Sequence, residues 1–518
     1  MTYATSPVND VRQRRWWILV LAAVAQLMVI LDVTVVNVAL PSAQAALHFS
    51  NADRQWIVTA YSLTFGSLLL LGGKLGDLFG RRWTLVGSAA GFAFASAAGG
   101  AAQSFGMLAG ARAAQGAAAA MLAPAALSLL NATFTRPAER NKAFGIYGAI
   151  GGSGASVGLL LGGVLTQLLD WRYVMFVNLL FAALVVLGAL ALLDNQAPAN
   201  KPRLDTAGAV TVSAGLFGIV FGLSHAETTS WSNPLTIGCL AGGVVLLALF
   251  GWIEARAAEP LLPPRILTDR TRGASYVSVL IAAASMFGVF LFLTYYLQRI
   301  LGYDPIESGL AFLPMTVVVV TTATVASTRL LPRVGPGTLV AIGMLLGAAG
   351  MLYLTRLGLH PSYVSDILPS LLSIGVGLGL IFPTVMNNGT RGVEPADAGV
   401  ASATVNTSQQ IGGSIGTALL STVAASATSA YLSSVHGPVR AAVHGFTTAF
   451  MWSAAFFAAG AILAAVLFGR AKPATATAVA QAGQAPGRAT ESRRPLVVLR
   501  SSEQQDADGP TPPPRRAA

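Results

Sequence analysis

Long apolar stretches alternate with short polar ones along most of the chain. The first, from Trp16 to Leu40, holds about 25 residues, and a transmembrane helix needs about 20. The runs lack the period-two alternation of barrel strands, so they predict an all-α polytopic membrane protein. The predicted spans are fourteen: 16–40, 54–73, 83–103, 106–131, 142–167, 173–193, 206–224, 235–255, 274–298, 306–328, 338–357, 365–387, 399–424 and 446–469.

Composition supports this class and provides no metal site. The 518 residues are 54% hydrophobic and 10% charged, whereas a soluble domain carries about 25% charged residues. Cys239 is the single cysteine, which excludes an intramolecular disulfide and argues against a thiolate metal site. The five histidines fall in predicted loops without ligand spacing, so no metal or cofactor is expected.

The formal net charge of +11 would by itself suggest a protein that binds nucleic acid, but the distribution of the charges indicates otherwise. Twenty of the 32 Lys and Arg residues lie in loops or ends on the side where the chain begins, and five lie on the opposite side. The positive-inside rule then places both termini in the cytoplasm. The expected partner is therefore the lipid bilayer of the cytoplasmic membrane, not nucleic acid.

Two links that contain proline and charged residues, 195–203 and 256–272, divide the spans into groups of six, two and six. Lys74-Leu75 before Gly80 is echoed by Arg329-Leu330 before Gly335, and internal repeats are typical of transporters. The expected organisation is a cytoplasmic N-terminus (1–15), a six-helix bundle (16–194), a linker with two extra transmembrane helices (195–272), a second six-helix bundle (273–470) and a disordered cytoplasmic tail (471–518).

Two charged side chains lie well inside predicted spans. A charge near the bilayer centre costs at least about 2.5 kcal/mol, so such residues are normally paired or functional. Asp32 lies about eight residues, or ~12 Å, from the outer end of its span, and Arg112 about six residues, or ~9 Å, from the same side. At similar depth they are expected to face each other. The functional interpretation is a carboxylate that carries a proton; a purely structural ion pair is the alternative.

The segment between spans 2 and 3 combines glycines with charges: Gly73, Asp77, Gly80, Arg81 and Arg82. The glycines permit a tight turn and close helix approach, and the aspartate lies within reach of both arginines. We expect this segment to act as a conformational gate. An ordinary positive-inside loop would explain the arginines but not the Gly/Asp/Gly spacing.

Span 5 carries glycines at intervals of three and four, including Gly154, Gly158, Gly162 and Gly163. Small residues at this spacing let a second helix backbone approach closely. Helix packing explains the pattern, and a surface on which helices slide is the alternative.

Together these motifs resemble the major facilitator superfamily, and within it the fourteen-helix drug/proton antiporters. The resemblance covers residues 12–470. Leu159 stands where the family's antiporter motif has a proline, so a proline kink is not expected there. The matching segments are 73–85 (G-x-L-x-D-x-x-G-R-R/K), 108–116 (L-x-x-x-R-x-x-Q-G), 154–163 (the antiporter motif of span 5) and 31–41 (the span-1 motif).

The resemblance implies two six-helix bundles that rock around a central cavity and export amphipathic drugs or antibiotics as protons flow inward. It assigns proton coupling to Asp32 and Arg112, and gating to the segment after span 2. A functional monomer is expected. An importer or facilitator of a small organic solute is the alternative, and a membrane sensor or enzyme is less favoured because no acid/histidine cluster or nucleotide loop occurs. Polar and aromatic residues suited to an apolar substrate cavity are Gln26, Asn37, Tyr61, Phe65, Gln115, Asn178, Tyr295, Tyr296, Asn387, Asn406 and Gln409.

Overall fold

All regular structure in the described part of the chain is helical. The computed structural model describes residues 7–49, 51–195, 205–257, 260–394, 397–432 and 437–468. The predicted disordered tail and most of the first link lie outside these ranges. Within them, each of the fourteen predicted spans coincides with a helix.

The first eight helices are continuous, and several later ones contain π-helical segments. The helices are α1 (Pro7–Leu47), α2 (Asn51–Phe79), α3 (Arg81–Gly100), α4 (Phe105–Thr133), α5 (Pro137–Leu168), α6 (Tyr173–Leu192), α7 (Thr206–Thr228), α8 (Pro234–Glu254), α9 (Pro264–Thr268), α10 (Arg270–Gly288, with π-helical segments at Val289–Leu293 and Tyr296–Ile300), α11 (Pro305–Val325, followed by the π-helical segment Ala326–Leu330), α12 (Leu331–Val334), α13 (Pro336–Leu354), α14 (Leu368–Gly389, preceded by the π-helical segment Tyr363–Ile367), α15 (Ala398–Leu432) and α16 (Pro438–Phe468).

Twelve helices in the described residues are long and apolar enough to cross a membrane, and α5 makes a thirteenth if its two bent parts form one span. The remaining predicted span is α3, which is rich in Ala, Gly and Ser and therefore less apolar. Its 20 residues reach about 30 Å, and it packs between α4 and α6.

The helices pack as two groups that contact each other. In the first group α1 packs on α5 and α6, α2 on α4, and α3 on α4 and α6. In the second, α10 packs on α15 and α16, and α13 on α14 and α16. The groups meet where α5 contacts α11 and α14, and where α15 contacts α2 and α4. Helices α7 and α8 pair with each other, and α7 also contacts α2 and α15.

The two ends of the bundle are distinguished by the chain path. The end at which α1 begins and α16 ends is called the terminal face, and the other end the far face. At the terminal face α2 and α3 meet at Gly80 (φ 82°), and α12 and α13 meet at Gly335 (φ 87°). The two glycines of the sequence echo therefore share one positive-φ conformation, which glycine reaches without steric cost.

Helix α5 bends by 51° between its parts Pro137–Gly154 and Ser156–Leu168. The bend lies in the glycine- and serine-rich middle of the helix, a known site of helix kinks, and Leu159 stands where the antiporter motif has a proline. The two parts face different neighbours. Gly148 packs against Pro383 of α14, whereas Gly162 packs against Val35 of α1.

Candidate functional site

Asp32 and Arg112 form an ion pair sealed inside the first helix group. Arg112 Nη1 donates a hydrogen bond to Asp32 Oδ2 at 2.5 Å, and the two side chains are 1% and 0% exposed. The expected facing pair is therefore present. Arg112 Nε also donates to the carbonyl of Ile57 in α2 at 3.4 Å. Each charge thus offsets the cost of burying the other.

Two amide side chains complete the coordination of the carboxylate. Gln115 Nε2 donates to Asp32 Oδ1 at 3.0 Å, and Asn178 Nδ2 donates to the same oxygen at 2.8 Å. Gln115 Oε1 also accepts from Arg112 Nη1 at 2.9 Å, because residues three apart share one face of α4. Asp32, Arg112, Gln115 and Asn178 are called the charged cluster below. Within it, Arg112, Gln115 and Asn178 donate three hydrogen bonds to the Asp32 carboxylate.

Helix α2 covers the arginine with an aromatic ring. The centroid of the Tyr61 ring lies 4.4 Å from Arg112 Cζ and 5.6 Å from the centroid of the Phe65 ring, which is tilted against it. Gly116 explains this approach, since an added Cβ there would meet the Tyr61 carbonyl and the Thr64 hydroxyl. Glycine at this position therefore lets α2 lie directly on α4.

Two polar atoms near the ion pair have no hydrogen-bond partner among the described residues: the Tyr61 hydroxyl and Asn178 Oδ1. Both are buried. Unsatisfied buried polar atoms are uncommon in proteins and call for an explanation. Here they leave bonding capacity beside a carboxylate that already accepts three bonds.

The predicted gate segment lies where the two helix groups meet. A Cβ added to Gly73 would lie 2.7 Å from Ala403 Cβ and 2.7 Å from the Gly399 carbonyl, both in α15. The first glycine of this motif therefore allows α2 of one group to touch α15 of the other. Lys74, at a variable position of the motif, is buried as well.

Arg82 and the neighbouring Trp83 link this segment to the residues just after α6. Arg82 Nη1 donates to the Leu193 carbonyl at 2.9 Å, and the neighbouring Trp83 donates to Asn195 at 2.9 Å. Arg81 is half-buried, and the side chain of Asp77 lies outside the described parts of the structure. Its pairing with the arginines stays a prediction.

The span-5 glycines contact α1 closely. A Cβ on Gly154 would lie 2.6 Å from Ile30, and one on Gly158 would overlap the Thr34 hydroxyl. Gly163 is buried. These contacts show the packing use of the motif, and they place α5 against the helix that carries Asp32.

The structure brings three of the eleven candidate cavity residues, Tyr61, Gln115 and Asn178, to the ion pair and leaves the others apart. Phe65 lies beside Tyr61, while Gln26 accepts a 2.8 Å bond from the Tyr147 hydroxyl of α5. A substrate role for any of them stays a prediction.

The other candidates have local partners or open surroundings. Tyr296 donates to the Gly358 carbonyl at 2.6 Å, and Asn406 donates to the Ser402 carbonyl one turn earlier at 2.9 Å. Asn387 is bonded to Arg140, which lies between the predicted spans 106–131 and 142–167. In the remaining positions Asn37 is exposed, Tyr295 is half-buried under Arg299, and Gln409 is half-buried.

A buried ion pair on membrane-spanning helices, in a chain built from two joined helix groups, fits a secondary membrane transporter. Residues 22–417 match the Major Facilitator Superfamily, and the chain belongs to that family.

Several relatives are antibiotic resistance or export proteins. The chain is 47% identical over 463 residues to the puromycin resistance protein of Streptomyces alboniger, covering 88% of this chain and 91% of that protein. It is 38% identical over 452 residues to the cephamycin export protein of Amycolatopsis lactamdurans, covering 87% and 92%. The fold also resembles the crystal structure of the human organic anion transporter MFSD10, with TM-score 0.61, 14% identity and coverage of 87% and 99%.

Proposed function

We propose that the chain is a proton-coupled antiporter that exports amphipathic antibiotics or related organic compounds across the cytoplasmic membrane. The terminal face is cytoplasmic in this proposal, following the distribution of Lys and Arg. Relatives named for puromycin resistance and cephamycin export support the substrate class. The observation that carries proton coupling is the sealed Asp32–Arg112 pair.

The coupling follows from how the carboxylate is held. While Asp32 is ionised, it accepts bonds from Arg112, Gln115 and Asn178. A proton that enters from the far face and binds this carboxylate removes the ionic part of its bond to Arg112. The weakened contact between Asp32 and Arg112 releases substrate outward and permits return of the emptied carrier.

The available driving force is sufficient for this task. One proton moving inward through a 100 mV potential supplies about 2.3 kcal/mol. Since about 1.4 kcal/mol corresponds to a factor of ten, this supports about fiftyfold accumulation of a neutral substrate before any pH gradient is added.

The test is efflux of a fluorescent cationic dye from cells, or its uptake by inverted vesicles, with the wild type and Asp32→Asn. We expect wild-type transport that collapses with an uncoupler and is lost in Asp32→Asn. Transport that resists the uncoupler would contradict proton coupling. Dye accumulation in cells expressing the chain would favour the importer instead.

A further inference from the structure

Arg140, in the first turn of α5, connects the two helix groups at the terminal face. Its Nε donates to Asn387 Oδ1 at 2.7 Å, and its Nη2 donates to the Asn387 carbonyl at 3.1 Å and to Thr390 Oγ1 at 3.0 Å. These acceptors lie at and just after the end of α14, about 250 positions away in the chain. Three hydrogen bonds of one guanidinium therefore cross the boundary between the groups.

Residues of the first helix group also hold the Arg140 side chain in place. Nη1 donates to Asn131 Oδ1 at the end of α4, and the Phe144 ring lies 4.4 Å from Arg140 Cζ. A return bond runs from Asn387 Nδ2 to Asn141 Oδ1 at 2.8 Å. The guanidinium thus points at α14 in a fixed orientation, and the same asparagine bonds two consecutive residues of α5.

Every acceptor of Arg140 is uncharged. None of the ion pairs found in the described ranges includes Arg140. A bond from a charged donor to a neutral acceptor is stronger than one between neutral groups, yet its rupture leaves no buried anion behind. Such a contact holds two surfaces together. When it breaks, only the guanidinium charge loses its partners, because no carboxylate takes part.

Close glycine packing surrounds this contact. A Cβ on Gly145 would lie 2.7 Å from Ser327 Oγ, and one on Gly148 would lie 2.6 Å from Pro383 of α14. The parts of α5 and α14 near the terminal face are therefore in direct contact, and the arginine bonds lie at the edge of that contact.

We propose that Arg140 is a latch that closes the terminal face, and that it releases Asn387 and Thr390 each time this face opens. The latch needs only alternating access of the two groups. It does not depend on Asp32 carrying a proton, so it stands or fails independently of the coupling mechanism. The position of Asn387 is then a gating position, distinct from the cavity role expected from sequence.

The test measures opening directly by distances between spin labels in the full-length protein. Cys239→Ser removes the single native thiol, and Ala138→Cys with Glu394→Cys places labels on exposed positions beside the latch, one in each group. Glu394 makes only a 3.8 Å contact with Arg265 that is open to solvent, so its replacement is a mild change. The ratio of long to short distances reports the open and closed populations.

Arg140→Gln should raise the open-to-closed ratio at least tenfold, because it removes the charge from all three crossing bonds. Asn387→Asp should lower the ratio severalfold, because it gives the arginine a carboxylate partner. Arg136→Gln is the matched control, an exposed arginine at the start of α5, and should leave the ratio unchanged.

Opposite shifts in the two latch variants support the proposal. Shifts in the same direction, or an unchanged ratio in either variant, would overturn it. If Arg140→Gln fails to fold, Asn387→Asp decides the question, because it keeps the guanidinium and its three crossing acceptors and loses only the bond to Asn141. A lowered ratio in that variant supports the proposal, and an unchanged or raised ratio overturns it.

Discussion

Removal of one charge from the Asp32–Arg112 pair should destabilise the protein more than removal of both. The pair is buried with 1% and 0% exposure, so neither charge can turn to solvent when its partner is lost. Breaking a buried pair from one side typically costs about 3–5 kcal/mol, whereas replacing both partners is often neutral or stabilising. The variants are Asp32→Asn, Arg112→Met and their combination.

The two single variants should lose different amounts of stability, because the charged cluster leaves each remaining charge with different partners. In Asp32→Asn the guanidinium keeps neutral acceptors, Gln115 Oε1 at 2.9 Å and the Ile57 carbonyl at 3.4 Å, but loses its counter-charge. In Arg112→Met the carboxylate keeps two amide donors and can also bind a proton. We therefore expect Asp32→Asn near the upper end of the ~3–5 kcal/mol range and Arg112→Met near the lower end.

The assay is the melting temperature of the purified protein in detergent micelles, combined with efflux rates of the same variants. The double variant should melt close to the wild type while remaining inactive in proton-driven efflux. That combination separates stability from coupling. If the double variant instead loses as much stability as the two single variants together, the two charges do not compensate each other, and the reasoning is refuted.

Two further predictions concern the helix contacts and the amide ligands. Gly158→Ala should destabilise by about 1–3 kcal/mol because its Cβ meets the Thr34 hydroxyl, whereas Gly110→Ala, in open space, should gain up to about 1 kcal/mol from helix propensity. Equal melting temperatures for these two variants would contradict the packing assigned to α5. Gln115→Leu removes three hydrogen bonds and Asn178→Leu one, each worth about 1.5–3 kcal/mol where a charge takes part. The initial efflux rate of Gln115→Leu should therefore be at least tenfold lower than that of Asn178→Leu. A lower rate in Asn178→Leu than in Gln115→Leu would contradict the larger role given to Gln115.

Sequence patterns predicted the elements and the ion pair well, because both depend on local properties. Apolar runs set the helices, and counting residues along two spans placed Asp32 and Arg112 at one depth. The sequence similarity around Gly80 and Gly335 is matched by a shared conformation, since both glycines have a positive φ. In each case the signal lies within one helix or turn.

Contacts between distant segments were harder to foresee. Asn178 reads as a polar residue in an apolar span, and only the packing of α6 against α1 makes it a ligand of Asp32. Arg140 reads as a loop charge, yet it bonds a residue 247 positions away. Asn387 was expected in the cavity for its polarity alone. Which amide meets which charge depends on how the helix groups meet, and no local pattern records that.

We assign the coupling proton to the Asp32 carboxylate, which binds it and gives it up as substrate is exchanged. The most direct measurement is proton release from purified protein in weak buffer, followed with a pH indicator, when a dye of established efflux is added. We expect the wild type to release protons upon dye addition, and Asp32→Asn to bind the dye without releasing protons. Equal proton release from both proteins would contradict the assignment of Asp32 as the coupling residue.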